Sequence, residues 1–209
     1  MRKLHVIRFS GMALIIALIL GACERPKDKA IGYDHVITVV CDDRNWEACE
    51  PILAQTLGKV YQTPPTETLY TFQRISPNDL NTNILNKNLL ILTRLEEKSG
   101  VTPQVRSMLP DSTISNMRQN PKGYYQQGDA YAIGQALVVV VGKNLADLRN
   151  RLEINQDQIF NFIEQKMFER NTAFIYRSGE QFELAQRYYD QYGFYLRMMH
   201  DYVEIENRP

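Results

Sequence analysis

Few side chains in this sequence have the type and spacing to do chemistry. The densest group is Cys41-Asp42-Asp43, with Trp46 and Glu47 close behind. Two adjacent carboxylates can hold a cation or divide acid–base work, as in a hydrolase acting on a glycan, an ester or a peptide. The group closes an apolar run, His35–Cys41, and ligands of α/β sheets gather at the carboxyl ends of strands. A structural reading competes with this one. Adjacent residues point apart, and an Asp at a turn commonly serves as a cap or an Asx turn. Tyr131 and Gln135 make a second candidate contact, with Gln135 an amide placed on the most apolar run of the chain. Either the backbone satisfies it or a ligand does. Tyr124 and Tyr125 flank the same region, and Tyr188, Tyr189, Tyr192 and Tyr195 crowd a later one. Such rings can stack on a sugar or meet a protein, and a carrier for small ligands could be lined by them. At helical spacing, packing in the core and against the sheet is the plainer expectation.

Other chemistry is harder to build from these residues. Beyond the first 22 residues there are two histidines, His35 and His200. There is no HExxH, CxxC, G-x-S-x-G or glycine-rich phosphate loop. No spacing suggests three or four converging metal ligands, so neither a metal nor a cofactor is expected. Cys41 and Cys49 could pair in an oxidising compartment or remain two half-buried thiols; both options stay open.

The most specific chemistry sits at the N-terminus. Arg2, Lys3 and Arg8 precede an uncharged stretch, Gly11–Leu20, followed by Gly21, Ala22 and Cys23. About ten apolar residues fall short of the 20 or so that a membrane-spanning helix needs, but suit the core of a secretory signal. Leu20-Gly21-Ala22-Cys23 resembles the bacterial lipobox. In that pattern the Cys23 thiol receives a diacylglycerol, the chain is cut before it, and acyl chains hold the mature protein to a membrane. Residues 1–22 are then signal peptide, residues 23–33 the lipidated Cys and a flexible polar tether, and residues 34–209 one domain. The expected location is the bacterial cell envelope, with the domain facing the periplasm. The segment after Cys23 has no acidic run of the kind linked to surface export.

Without residues 1–22 the chain has 21 Lys+Arg and 24 Asp+Glu, a net charge of −3. A mildly acidic exported chain without a long basic block excludes nucleic acid as the expected partner. The expected partners are the membrane, through Cys23, and an envelope protein or glycan.

The elements that must position these residues follow from periodicity. His35–Cys41 reads as a central strand covered on both faces. A polar turn around Trp46 leads to a helix with Pro51 at its first position. Leu69–Ile75 and Asn88–Thr93 read as strands, with a short helix from Ser76-Pro77 between them. A helix is expected near 112–119 and mobility around 120–128, before the strand Ala132–Val141. The C-terminal third reads as helical, with starts at Asn144/Asp147, Asn155/Gln158 and Ser178/Gln181. Gly193 suits a left-handed cap, and alternation over 194–198 suggests a further strand. The expected fold is α+β: a mainly antiparallel sheet with helices packed largely on one face, a two-layer sandwich with a helical C-terminal third.

With these residues in place, the chain resembles the uncharacterised lipoprotein family named domain of unknown function 4837. The resemblance rests on the lipobox, on His35–Cys41 followed by Asp43 and Trp46, and on Pro64-Pro65-Thr-Glu67. Asn88–Leu92, Tyr131-Ala132-x-x-Gln135 before Leu137, and Glu169-Arg170 also carry it. It implies an envelope location and brings no activity. Members of that family look longer, so Tyr202–Pro209 reads as a strand entering a second half, in a natural short form or a fragment. The overall expectation is a lipid-anchored, non-catalytic binding or interaction module, with a hydrolase using Asp42, Asp43 or Glu47 as the alternative.

Overall fold

Val36–Val40 is buried from Ile37 onward, Thr38 included, and a strand so covered belongs inside a sheet. The computed structural model describes residues 26–62, 64–65, 67–95 and 100–205; the expected signal peptide, residues 1–22, and Cys23 lie outside the described residues. In chain order the elements are β1 (Val36–Val40), α1 (Asp43–Thr56), the short pair β2 (Val60–Tyr61) and β3 (Glu67–Thr68), β4 (Thr71–Ile75), α2 (Leu80–Asn83), β5 (Asn88–Arg94), α3 (Thr102–Met108), α4 (Asp111–Gln119), β6 (Tyr124–Gly128), β7 (Ala136–Gly142), α5 (Leu145–Ile175) and α6 (Phe182–Tyr192).

The main sheet has the order β4-β1-β5-β7-β6. Its first four strands run parallel and only β6 is antiparallel. The expectation of a mainly antiparallel sheet is therefore corrected. Successive parallel strands of one sheet need crossovers of a dozen or more residues. Even the shortest here, residues 76–87 between β4 and β5, reaches that length.

The sheet is covered on both faces rather than largely on one. Ile37, Val39, Leu90, Leu92, Val138 and Val140 pack with Ile52 and Leu53 of α1 and Leu148, Leu152 and Ile159 of α5. Their alternates Val40, Leu89, Ile91, Leu137, Val139 and Val141 pack with Val105 of α3 and Ile114 and Met117 of α4. Successive strand residues point to opposite faces, so an unbroken apolar run requires helices on both.

Several local expectations change. Residues 120–128 are not a mobile stretch, because Tyr124–Gly128 pairs along β7. Pro51 lies inside α1, which already starts at Asp43; it is exposed, so the carbonyl it leaves unbonded can meet water. Ser76 does cap the short turn Pro77–Asp79 before α2. Residues 194–198 form no strand; Met199 makes only a bridge to Glu180. Gln181, not Ser178, occupies the cap position of α6, and Gly193 closes that helix in the left-handed region (φ 75°).

The largest change concerns α5. Asn144 caps it as expected, accepting from Asp147 N at 2.9 Å, but no second helix begins at Asn155. The 31 residues Leu145–Ile175 are one helix, free of Gly and Pro. Asn155 is fully buried and donates through Nδ2 to Lys122 O at 2.7 Å and Arg151 O at 2.6 Å. Arg151 is also buried; its Nη1 donates to Met117 O and Val141 O, both at 2.8 Å. The buried residues of α5 end at Ile163. A helix of this length spans about 46 Å, while a seven-residue strand spans about 23 Å, so the second half of α5 overhangs the amino ends of the parallel strands.

A cap tolerates Asp as well as Asn, whereas a donor to two buried carbonyls does not. Asn155→Asp is therefore expected to destabilise the protein by about 2–3 kcal/mol, read as a lowered urea midpoint. An unchanged midpoint would restore the capping role.

Candidate functional site

The first candidate group lies where the sequence places it, at the carboxyl ends of β1 and β4. A shallow recess of about 240 Å³ is lined by Asp42, Asp43, Arg74, Ser76 and Gly100 among others. Both Asp42 oxygens are occupied: Oδ1 accepts from Asn45 N at 2.8 Å and Oδ2 from Asn45 Nδ2 at 3.1 Å. Arg94 stands 3.9 Å from the same carboxylate. Asp42 thus caps α1. Asp43 is exposed and forms an ion pair with Arg74. Glu47 is exposed one turn further on, and Trp46 is half-buried against the core beneath α1. Asp42 is committed to holding the helix start, and Asp43 is held by Arg74.

Cys41 and Cys49 are free, buried thiols. Burial pushes Cys41 up to about 12 and Cys49 up to about 11. Both stay protonated and unreactive at neutral pH.

Tyr131 and Gln135 are joined to each other. Gln135 is wholly buried; its Oε1 accepts from Tyr131 N at 3.0 Å, and its Nε2 donates to Ile84 O at 2.6 Å and Asn86 O at 2.9 Å. The amide is spent on backbone, pinning the loop between β6 and β7 to the chain before β5. The Tyr131 ring is half-buried against the outer core.

A larger site opens at the opposite end of the sheet, beneath the overhang of α5. It is a basin of about 810 Å³. Its walls are the start of β1, the start of β5, the β6–β7 loop and the last turns of α5. On one side Arg170 Nε donates to Asp34 Oδ1 at 2.6 Å, Nη1 to Gly134 O at 2.8 Å and Nη2 to Asn88 Oδ1 at 3.2 Å. Lys87 Nζ holds the other Asp34 oxygen at 2.8 Å. Burial alone would raise the Asp34 carboxyl, but the bonds and charges of Lys87 and Arg170 outweigh it and hold it below its ordinary value. Gly134 has φ 84°, and a Cβ there would lie 3.0 Å from Arg170 Cγ, so glycine lets the guanidinium reach the loop.

On the other side Lys166 lies between Asp129, 3.2 Å away, and Glu169, 2.8 Å away. Asp129 adopts φ 54°, a region Asp tolerates, and its Oδ1 accepts from Gly134 N at 2.5 Å. Burial raises the Asp129 carboxyl, but the Gly134 N–H and Lys166 lower it further. Glu169 is lowered chiefly by Lys166. Close to Arg170 and Asp34, the buried Tyr70 donates to Glu164 Oε1 at 2.5 Å. Burial, then Glu164, push the Tyr70 phenol upward.

Two further cations, Lys29 and Arg177, complete the lining. Neither forms an ion pair among the described residues; Arg177 stacks 4.2 Å from the exposed Phe174 ring. The basin holds five cations against three carboxylates, Asp34, Asp129 and Glu169. It can attract an anionic group, but its carboxylates are all paired, and no free acid–base pair or nucleophile lines it. No group of three or more side chains suited to a metal ion occurs among the described residues.

Residues 30–175 match the family described as Domain of unknown function (DUF8532). The chain belongs to that family. The match spans both ends of the sheet and stops at Ile175, the last residue of α5, so the basin residues Lys29 and Arg177 lie just outside it. No curated protein and no solved structure matches the chain. Among the described residues no helix is long and apolar enough to cross a membrane.

Sequence reasoning passed over Asp34, Lys87, Asn88, Asp129 and Lys166, which are scattered over more than 130 positions. One local signal was available. Asn88 opens the apolar run Leu89–Leu92, and a buried amide there needs partners; it donates to Asp34 O and Val36 O.

Asp34→Asn leaves Arg170 and Lys87 without their counter-charge. Asp34 is itself about one-third exposed, so the expected loss at pH 7 is about 1–3 kcal/mol. Asp34, Asp129 and Glu169 have lowered folded values. Their contribution is complete above the ordinary values of 3.8 and 4.5 and is lost as pH falls through the folded ones. The wild-type urea midpoint should fall below about pH 4, and that of Asp34→Asn should fall less steeply. Parallel profiles would remove the role assigned to Asp34.

Proposed function

We propose that this protein is a lipid-anchored module of the bacterial cell envelope, held through Cys23, that works by contact with an envelope protein or glycan. The observation that carries the contact role is the surface of residues 182–205. Phe182 is 65% exposed, Tyr189 50%, Phe194 48% and Tyr195 52%. Tyr192 stacks on Phe194 with centroids 5.9 Å apart. The expectation that the tyrosines pack in the core holds for Tyr124, Tyr125 and Tyr131 but not for Tyr189, Tyr192 and Tyr195; of α6 only Leu184 and Ala185 are buried. So many large apolar side chains on one short segment mark an interaction surface, and Tyr suits protein and sugar partners alike. The anchor rests on the basic, apolar and small-residue pattern ending at Cys23, to which the resemblance to the 4837 family adds the same location.

A hydrolase using Asp42, Asp43 or Glu47 draws less support, because Asp42 is a helix cap and Asp43 an ion-pair partner.

Two measurements test the reading. Cys23→Ala should abolish palmitate incorporation in growing cells; retained label would remove the anchor. Replacing Tyr189 and Tyr195 by Ser should cut the yield of cross-links to an envelope partner at least about fivefold while stability shifts by about 0.5 kcal/mol or less. Cross-links that survive the double substitution would remove this surface as the contact.

A further inference from the structure

Within the segment expected to be a flexible tether, Lys27–Ile31 is docked onto the domain. Ala30 N donates to Ile133 O at 2.9 Å, Ile31 N to Leu85 O at 3.0 Å, and Ile133 N to Asp28 O at 2.8 Å. Lys27 Nζ donates to Asp129 O at 2.7 Å and Ala130 O at 3.1 Å. Only four residue steps separate Lys27 from Cys23, a reach of at most about 14 Å. The lipid-bearing residue of the mature chain therefore cannot move far from the rim of the charged basin.

From this we infer that the basin face rests on anionic lipid headgroups of the bilayer that holds the Cys23 acyl chains. The inference depends on the lipid anchor proposed above. Three features of the face fit that occupant. The short chain to Cys23 brings it to the surface. Five cations against three carboxylates line the basin, and Lys27 and Asp28 stand together at its rim, so the excess of two positive charges is kept. Ile31, Ile133 and Phe174, each more than half exposed, sit among these cations and suit the headgroup layer. The mature chain carries a net charge of −3, so an anionic surface repels the domain in most orientations. The basin lining, with two cations in excess, has the opposite balance, which favours the orientation that turns it to the bilayer.

The test uses residues 23–209 with the Cys23 thiol coupled to a maleimide lipid in vesicles. Cys41 and Cys49 are buried and protonated, so coupling is selective. Acetylation of single lysines is followed by mass spectrometry on phosphatidylcholine vesicles and on vesicles with one-third phosphatidylglycerol. Lys29 should react at least about fivefold more slowly on the anionic vesicles, with protection lost in high salt. Lys143, at the opposite end of the sheet, should react equally on both. Arg177→Glu should reduce the Lys29 protection to about twofold or less. Equal Lys29 rates on the two vesicles, or equal protection of Lys143, would overturn the inference. The anchor is installed chemically, so a failed footprint leaves the lipidation reading standing. Absent palmitate labelling in cells would remove that reading without altering the footprint.

Discussion

Arg170 reaches from the overhanging half of α5 to pieces of chain far apart in sequence. Its Nε meets Asp34 before β1, its Nη2 meets Asn88 at the start of β5, and its Nη1 meets the Gly134 carbonyl in the β6–β7 loop. The side chain is about one-tenth exposed, and a cation that far from water costs several kcal/mol unless good partners replace the solvent. A planar guanidinium with donors on several edges can satisfy three acceptors at once where an ammonium would act as a point charge. Asn88 extends the arrangement by donating to Asp34 O and Val36 O. The starts of the two central strands are thus locked to each other and to the helix that covers them.

That lock explains why the amino ends of the strands carry so much of the molecule's character. The main chain of Lys27–Ile31 can dock there because the loop it meets is already held by Asp129, Gly134 and Gln135. The opposite end is built differently. Asp42 and Arg151 there satisfy helix starts and strand ends, beside a small recess. The two ends therefore differ in kind: one closes its polar groups on the backbone, and the other keeps cations in excess around an open basin.

Much of the framework was legible in the residues themselves. The runs at Val36–Val40 and Asn88–Arg94, the cap at Asn144, the turn at Ser76 and the left-handed Gly193 all follow local rules that the structure obeys. Strand direction was not legible, because direction depends on which neighbour each strand meets. The apolar runs did contain the clue, since a strand without polar alternation must be covered on both faces. Asn155 misled for a related reason. Asn followed three residues later by Gln has the look of a capping box, and only the Lys122 carbonyl opposite shows that its amide points inward. The basin was harder still. Its charges come from four separate elements, and Lys, Asp and Arg are too common for their placement to be read from spacing.

A catalytic carboxylate must be free to exchange a proton with a substrate in reach. Asp42 instead spends both oxygens on Asn45, and the basin carboxylates are held below their ordinary values by Lys and Arg partners. Lowered carboxylates paired to cations stay charged at neutral pH and are poor proton carriers, but they hold those cations at fixed positions. What such a network offers a neighbour is a shaped electrostatic surface. The exposed rings of α6 and of residues 194–195 add an apolar patch to the charged basin, and neither needs a proton carrier to meet a partner.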